Sequence, residues 1–118
     1  MSKFEETPWA ACKPSEQKFV INRVADFTIS ACNLANSHLQ NYLEYKRRAA
    51  VVRLGGELPA RVGLPEPERS WRLFLKNHER AEVRYAALRR LAPRSRFTWI
   101  EERLSEFRDA AENSRETD

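Results

Sequence analysis

The chain has 118 residues, 42% of them hydrophobic and 32% charged, which suits one globular domain with a single core and argues against bulk disorder. Three glycines and six prolines are too few for a turn-rich β-sandwich or barrel. Basic residues outnumber acidic ones 21 to 17, giving a formal net charge of +4.

Residues 1–14 hold Pro8 and Pro14 and show no periodicity, so they are expected to form an arm, with Phe4 and Trp9 as possible anchors. Met1–Glu6 lacks an apolar stretch of the kind a signal peptide requires. Ser15 is expected to cap a helix starting at Glu16. Along that helix Val20, Val24, Phe27, Ala31, Leu34, His38, Tyr42, Tyr45, Ala49 and Val52 recur every three or four residues. Ile21, Cys32, Ala35, Leu39, Leu43 and Ala50 form a second strip beside them. An apolar arc this wide predicts two neighbours rather than one, and any part left uncovered would make a dimer or partner interface. Gly55-Gly56 supplies a left-handed stop.

Glu57–Glu66, with Pro59, Gly63 and Pro65, reads as a connecting loop. Pro67 opens a second helix with the seam Trp71, Phe74, Leu75, His78, Ala81, Tyr85 and Leu88, and Pro93 stops it. Thr98 and Glu101 are spaced as a capping box for a third helix carrying Ile100, Leu104, Phe107 and Ala111. Residues 112–118 read as a frayed polar tail. The expected architecture is all-α, a small bundle in which one long N-terminal helix carries two shorter helices packed back on it, over residues 15–111.

Charge is distributed unevenly. Residues 1–43 carry four basic and four acidic groups, residues 44–96 carry 14 and 6, and residues 97–118 carry 3 and 7. On a wheel of the second helix centred on His78, Arg69, Arg72, Lys76, Arg80, Arg84 and Arg90 fall within about 60° of the opposite pole. Glu68, Glu79 and Glu82 fall outside that sector, whereas Leu73, Val83 and Leu91 fall inside it. Arg94 extends the set beyond Pro93, and Lys46, Arg47 and Arg48 form a second cluster late in the first helix. Like charges on one face repel, so a polyanion would relieve them, and arginine forks suit phosphate. The competing expectation is a solvated face partly paired with the acidic third helix. A recognition helix reading bases is disfavoured, because Glu101, Glu102, Glu106, Asp109 and Glu112 would meet phosphates.

Asn33, Asn36, Ser37, Gln40 and Asn41 form an uncharged polar patch on the long helix, a candidate protein-binding surface. Trp71, Trp99, Phe74, Phe97 and Phe107 are expected in the core, and Tyr42 and Tyr45, beside Lys46–Arg48, are the candidates for stacking on bases. His38 and His78 lie on apolar seams and read as packed rather than catalytic or metal-ligating. Cys12 and Cys32 have no metal-ligand or disulfide-framework pattern and are expected to be free thiols in a reducing, cytoplasmic setting. No P-loop, GxSxG or HExxH motif occurs, so no enzyme, metal or cofactor is expected. The resulting expectation is a binding protein, an accessory subunit or homo-oligomer that holds the backbone of RNA or DNA without sequence reading. The alternative is an adaptor or inhibitor whose basic face meets an acidic protein.

Overall fold

A computed structural model describes residues 11–56 and 66–117, with side chains through Asn113. Residues 1–10 of the expected arm and 57–65 of the expected loop therefore lie outside the described residues. The described chain forms three helices: α1 (Pro14–Arg53), α2 (Pro67–Leu91) and α3 (Thr98–Thr117). They make the small all-helical bundle expected from periodicity, with the long helix carrying the two shorter ones.

The helix ends follow local chemistry. Pro14 takes the first position of α1, where its missing N–H costs nothing, so the helix starts ahead of the expected Ser15 cap. Glu16 Oε1 accepts the Lys13 N–H at 3.4 Å. At the other end Gly55 has φ +85°. The Gly56 N–H reaches Val51 O at 2.9 Å and the Gly55 N–H reaches Val52 O at 3.0 Å, the paired bonds of a Schellman stop. Pro67 starts α2 as expected. The expected capping box of α3 is not made. Thr98 is already helical, and the Glu101 carboxylate turns instead to Tyr85 and Arg96.

Helices α1 and α2 are antiparallel. Tyr42, late in α1, meets Trp71, early in α2, with ring centroids 4.7 Å apart, whereas Arg84 reaches back to Phe27. Helix α3 runs back along α2, with Glu101 beside Tyr85 and Phe107 against Phe74. Forty residues make α1 about 60 Å long and 25 make α2 about 37 Å, so α1 overhangs at both ends. The molecule measures 65 × 28 × 28 Å. The overhang leaves Phe19, Val51, Val52 and Leu54 exposed.

The core comprises Ala31, Cys32, Ala35, Leu39, Phe74, Ala81, Leu88, Ile100, Leu104 and Phe107. On α2 its position differs from the wheel expectation. Thr28, Ala31, Cys32, Ala35, Leu39 and Tyr42 are the buried residues of α1, and Ser70, Phe74, Asn77, Ala81 and Leu88 those of α2. On α2 the buried face is turned about 70° from the His78-centred seam, whereas on α1 it lies within the expected arc, between the Val20–Val52 strip and the Ile21–Ala50 strip. Small residues explain the turn, because Ala31, Ala35, Ala81 and Ser70 let the two backbones approach. Thr28 and Asn77 can be buried there because each bonds the carbonyl four residues back, Thr28 Oγ1 to Val24 O and Asn77 Nδ2 to Leu73 O, both at 2.8 Å.

Candidate functional site

The turn of α2 redistributes the basic residues that its sequence groups together. Arg72 and Arg90 now lie near the outward pole, with Lys76, Arg69 and Arg80 beside them, and all five are exposed. Arg94 is exposed beyond the helix end. Among the described residues, none of these six makes an ion pair. Arg69, Arg72 and Lys76, together with Leu73, surround a surface pocket of about 310 Å³. Glu68 and Glu79 come nearer the outward pole than the His78-centred wheel placed them, yet neither pairs with a cation among the described residues.

Arg84 leaves the set. It sits on the α1 flank, where its Nη1 donates to Phe27 O at 3.0 Å and its guanidinium lies 5.9 Å from the Phe27 ring centroid. Lys46, Arg47 and Arg48 are engaged locally as well. Glu44 pairs with Arg47 at 3.2 Å and with Arg48 at 4.0 Å, and Lys46 lies 5.4 Å from the Tyr42 ring centroid. The cluster stands at the end of the bundle where α2 begins, because Tyr42 stacks on Trp71.

The carboxylates of α3 are not spent on the stripe. Glu101 takes Arg96 at 3.0 Å, and Glu106 takes Arg103 at 3.0 Å. Across the interface, Glu82 of α2 receives Arg108 of α3. Tyr85 and Glu82 mark the flank of α2 that faces α3, and the unpaired arginines lie on other faces. A basic stripe neutralised by the acidic helix is therefore not what the bundle builds.

The aromatic expectations divide. Phe74 and Phe107 are fully buried and meet edge to face at 5.6 Å. Tyr42, expected as an exposed stacking platform, is buried against Trp71, because the α1–α2 contact extends further along α1 than the thinning periodicity suggested. Tyr45 is half-buried. Trp99, expected in the core, is 42% exposed with Arg103 over its ring. With Ile29, Asn33, Phe97, Thr98 and Ile100 it lines a mostly apolar pocket of about 390 Å³ between α1 and the start of α3. Asn33 thus belongs to that pocket. Ser37 and Gln40 are exposed, Asn36 and Asn41 are half-buried, and Gln40 Nε2 donates to Asn36 Oδ1 at 3.4 Å.

The histidines and cysteines sit in different surroundings. His78 Nε2 lies 3.0 Å from Glu82 Oε2, and its ring packs against Phe74 and Phe107. His38 has its Nδ1 buried without a hydrogen-bond partner. Cys32 is wholly buried, and desolvation raises its thiol pKa to about 11, against a smaller opposing pull from Arg103. Both Cys12 and Cys32 are free thiols. Among the described residues no group of three or more His, Cys, Asp or Glu side chains is placed to hold a metal ion, and no helix is long and apolar enough to cross a membrane. No family model, no curated protein and no solved structure matches this chain. The reading of function therefore rests on the surface itself.

Proposed function

We propose that the protein is a non-enzymatic helical module that holds the sugar–phosphate backbone of nucleic acid through α2, without reading base sequence, as an accessory subunit of a larger assembly. The observation that carries this reading is the set Arg69, Arg72, Lys76, Arg80 and Arg90, exposed and without an ion pair among the described residues, while Glu101 and Glu106 of α3 pair with Arg96 and Arg103 and Glu82 pairs with Arg108. Five cations along one helix repel each other unless an anion is brought to them, and a phosphate chain brings one per nucleotide. The pocket among Arg69, Arg72 and Lys76 suits a single phosphate group, where arginine forks can donate two parallel hydrogen bonds.

Changing Arg72, Arg80 and Arg90 together to Glu tests the reading. These side chains are exposed, so the fold should survive, and binding to a labelled oligonucleotide should be lost at physiological salt. Unchanged affinity in the folded triple variant would refute the assignment. A second reading, an acidic protein surface as the partner, is favoured by Val83, an apolar side chain 63% exposed beside the arginines. It predicts loss of a protein complex, with no oligonucleotide binding, in the same variant.

A further inference from the structure

Arg72, Lys76, Arg80 and Arg84 form a row at steps of four residues, each step about 6 Å along the axis and about 40° around it. The row begins at the outward pole and descends to the α1 flank, where Arg84 meets Phe27. The Phe27 ring is 51% exposed and lies between two guanidinium groups, Arg84 at 5.9 Å and Arg23 at 5.5 Å from its centroid. Leu34, two turns onward, is 50% exposed, and Val20, two turns back, is 38% exposed. These three side chains make a partly exposed apolar strip along α1, on the flank opposite α3, with the Arg23 and Arg84 guanidinium groups against its Phe27 ring.

We infer that the strand held by α2 is single, with its phosphates on Arg72, Lys76 and Arg80 of the row and its bases resting on the Phe27–Leu34 strip beside Arg84. This inference rests on the backbone-binding reading and adds the class of nucleic acid to it. A duplex keeps its base faces inside and would press charged phosphates against an apolar strip, which is unfavourable. A single strand carries both surfaces side by side, an anionic backbone and flat apolar bases, and the protein places a cationic row beside an apolar strip. Aromatic rings and guanidinium planes are the usual supports for unpaired bases, and Arg23, Phe27 and Arg84 supply both at one position. A second copy of this chain fits the strip less well, because pairing α1 with itself about Phe27 would bring two Arg84 side chains together.

The experiment compares a labelled 20-nucleotide oligo(dT), an abasic strand of the same charge and a 20-base-pair duplex at one low salt concentration. It uses the intact protein, Phe27→Ala and Leu34→Ala. Both side chains are half-exposed, so their truncation spares the core, and circular dichroism checks each variant's fold. The expected result is oligo(dT) bound about tenfold or more tighter than the abasic strand. Phe27→Ala should remove most of that difference and leave abasic binding unchanged. Equal affinity for oligo(dT) and the abasic strand, with Phe27→Ala silent, would overturn the inference, leave backbone binding standing and mark the strip as a surface for protein. Tighter binding of the duplex would overturn it too. Binding of none of the three would overturn the backbone reading as well.

Discussion

Arg108 on α3 holds Glu82 on α2 with two hydrogen bonds, Nε to Oε2 and Nη2 to Oε1, each 2.6 Å long. His78 lies 3.0 Å from the same carboxylate. This clasp lies on the flank of α2 that faces α3, and it separates the protein's paired charges from its unpaired ones. Arg103 and Arg108 of α3 find carboxylates, and the arginines on the outward face of α2 do not.

The clasp makes stability depend on acid. Arg108 is the main cause holding the Glu82 carboxyl below its ordinary value, with a smaller contribution from His78. A carboxyl lowered in the folded state stabilises the protein above the unfolded-state pKa, about 4.3, and that contribution is lost as pH falls through the lower folded value. Glu82→Gln is therefore expected to flatten the fall in stability below about pH 5. At neutral pH it should cost only about 0.5–1 kcal/mol, because both side chains are partly exposed and screened. Urea melts of both proteins between pH 3 and 7 check this, and parallel pH profiles would refute it.

Thiol chemistry should distinguish the two cysteines. Cys32 is buried with its pKa raised to about 11, so almost no thiolate is available near neutral pH, while Cys12 is partly exposed. Titration with a thiol reagent at pH 8 is expected to modify one cysteine promptly and the second only on unfolding. Two fast equivalents in the native protein would contradict the placement of Cys32.

Phe107 carries the attachment of α3. Its ring is fully buried between Phe74 and His78, so Phe107→Ala is expected to cost about 3–5 kcal/mol, a large share of a domain's usual stability. Thermal and urea melts measure the loss. A cost below about 1 kcal/mol would mean that α3 is not packed as described.

The two basic clusters should behave differently. Glu44 already partners Arg47 and Arg48, and Lys46 lies over Tyr42. Replacing Arg47 and Arg48 with Ala is expected to weaken oligonucleotide binding less than replacing Arg72 and Arg80 with Ala. Affinities at one salt concentration rank the two variants, and the reverse order would move the interface to the end of α1.

Much of the bundle was legible because its signals are local. Pro67 and Gly55 mark helix ends by backbone constraint alone, and the three- and four-residue spacing of Phe74, Ala81 and Leu88 is visible without a partner. The rotation of the buried face of α2 was not legible. It depends on how closely two helices approach, and Thr28, Ser70 and Asn77 count as polar in any pattern although the first and last are satisfied by their own helix. The site inherited that error. Centring the wheel on His78 placed Arg84 with the free cations, whereas the true face brings it onto Phe27, and it kept Glu79 apart from arginines whose outward pole it shares. The pairing of Glu101 with Tyr85 and Arg96 joins residues across a turn and was equally out of reach, although its spacing from Thr98 is that of a capping box. The exposed strip was half-visible, because Val20, Phe27 and Leu34 belong to an arc too wide for one neighbour.

The measurement to make first is the affinity of a labelled oligonucleotide across a series of salt concentrations, for the intact protein and for Arg72→Glu/Arg80→Glu/Arg90→Glu. Each phosphate neutralised should contribute about 0.7–0.9 to the slope of log affinity against log salt. With five free cations on α2, the slope is expected to lie at about −3.5 to −4.5 and to collapse in the variant. A slope near zero, or no binding at low salt, would contradict a phosphate-holding surface on α2 and turn the search to a protein partner for the same arginines.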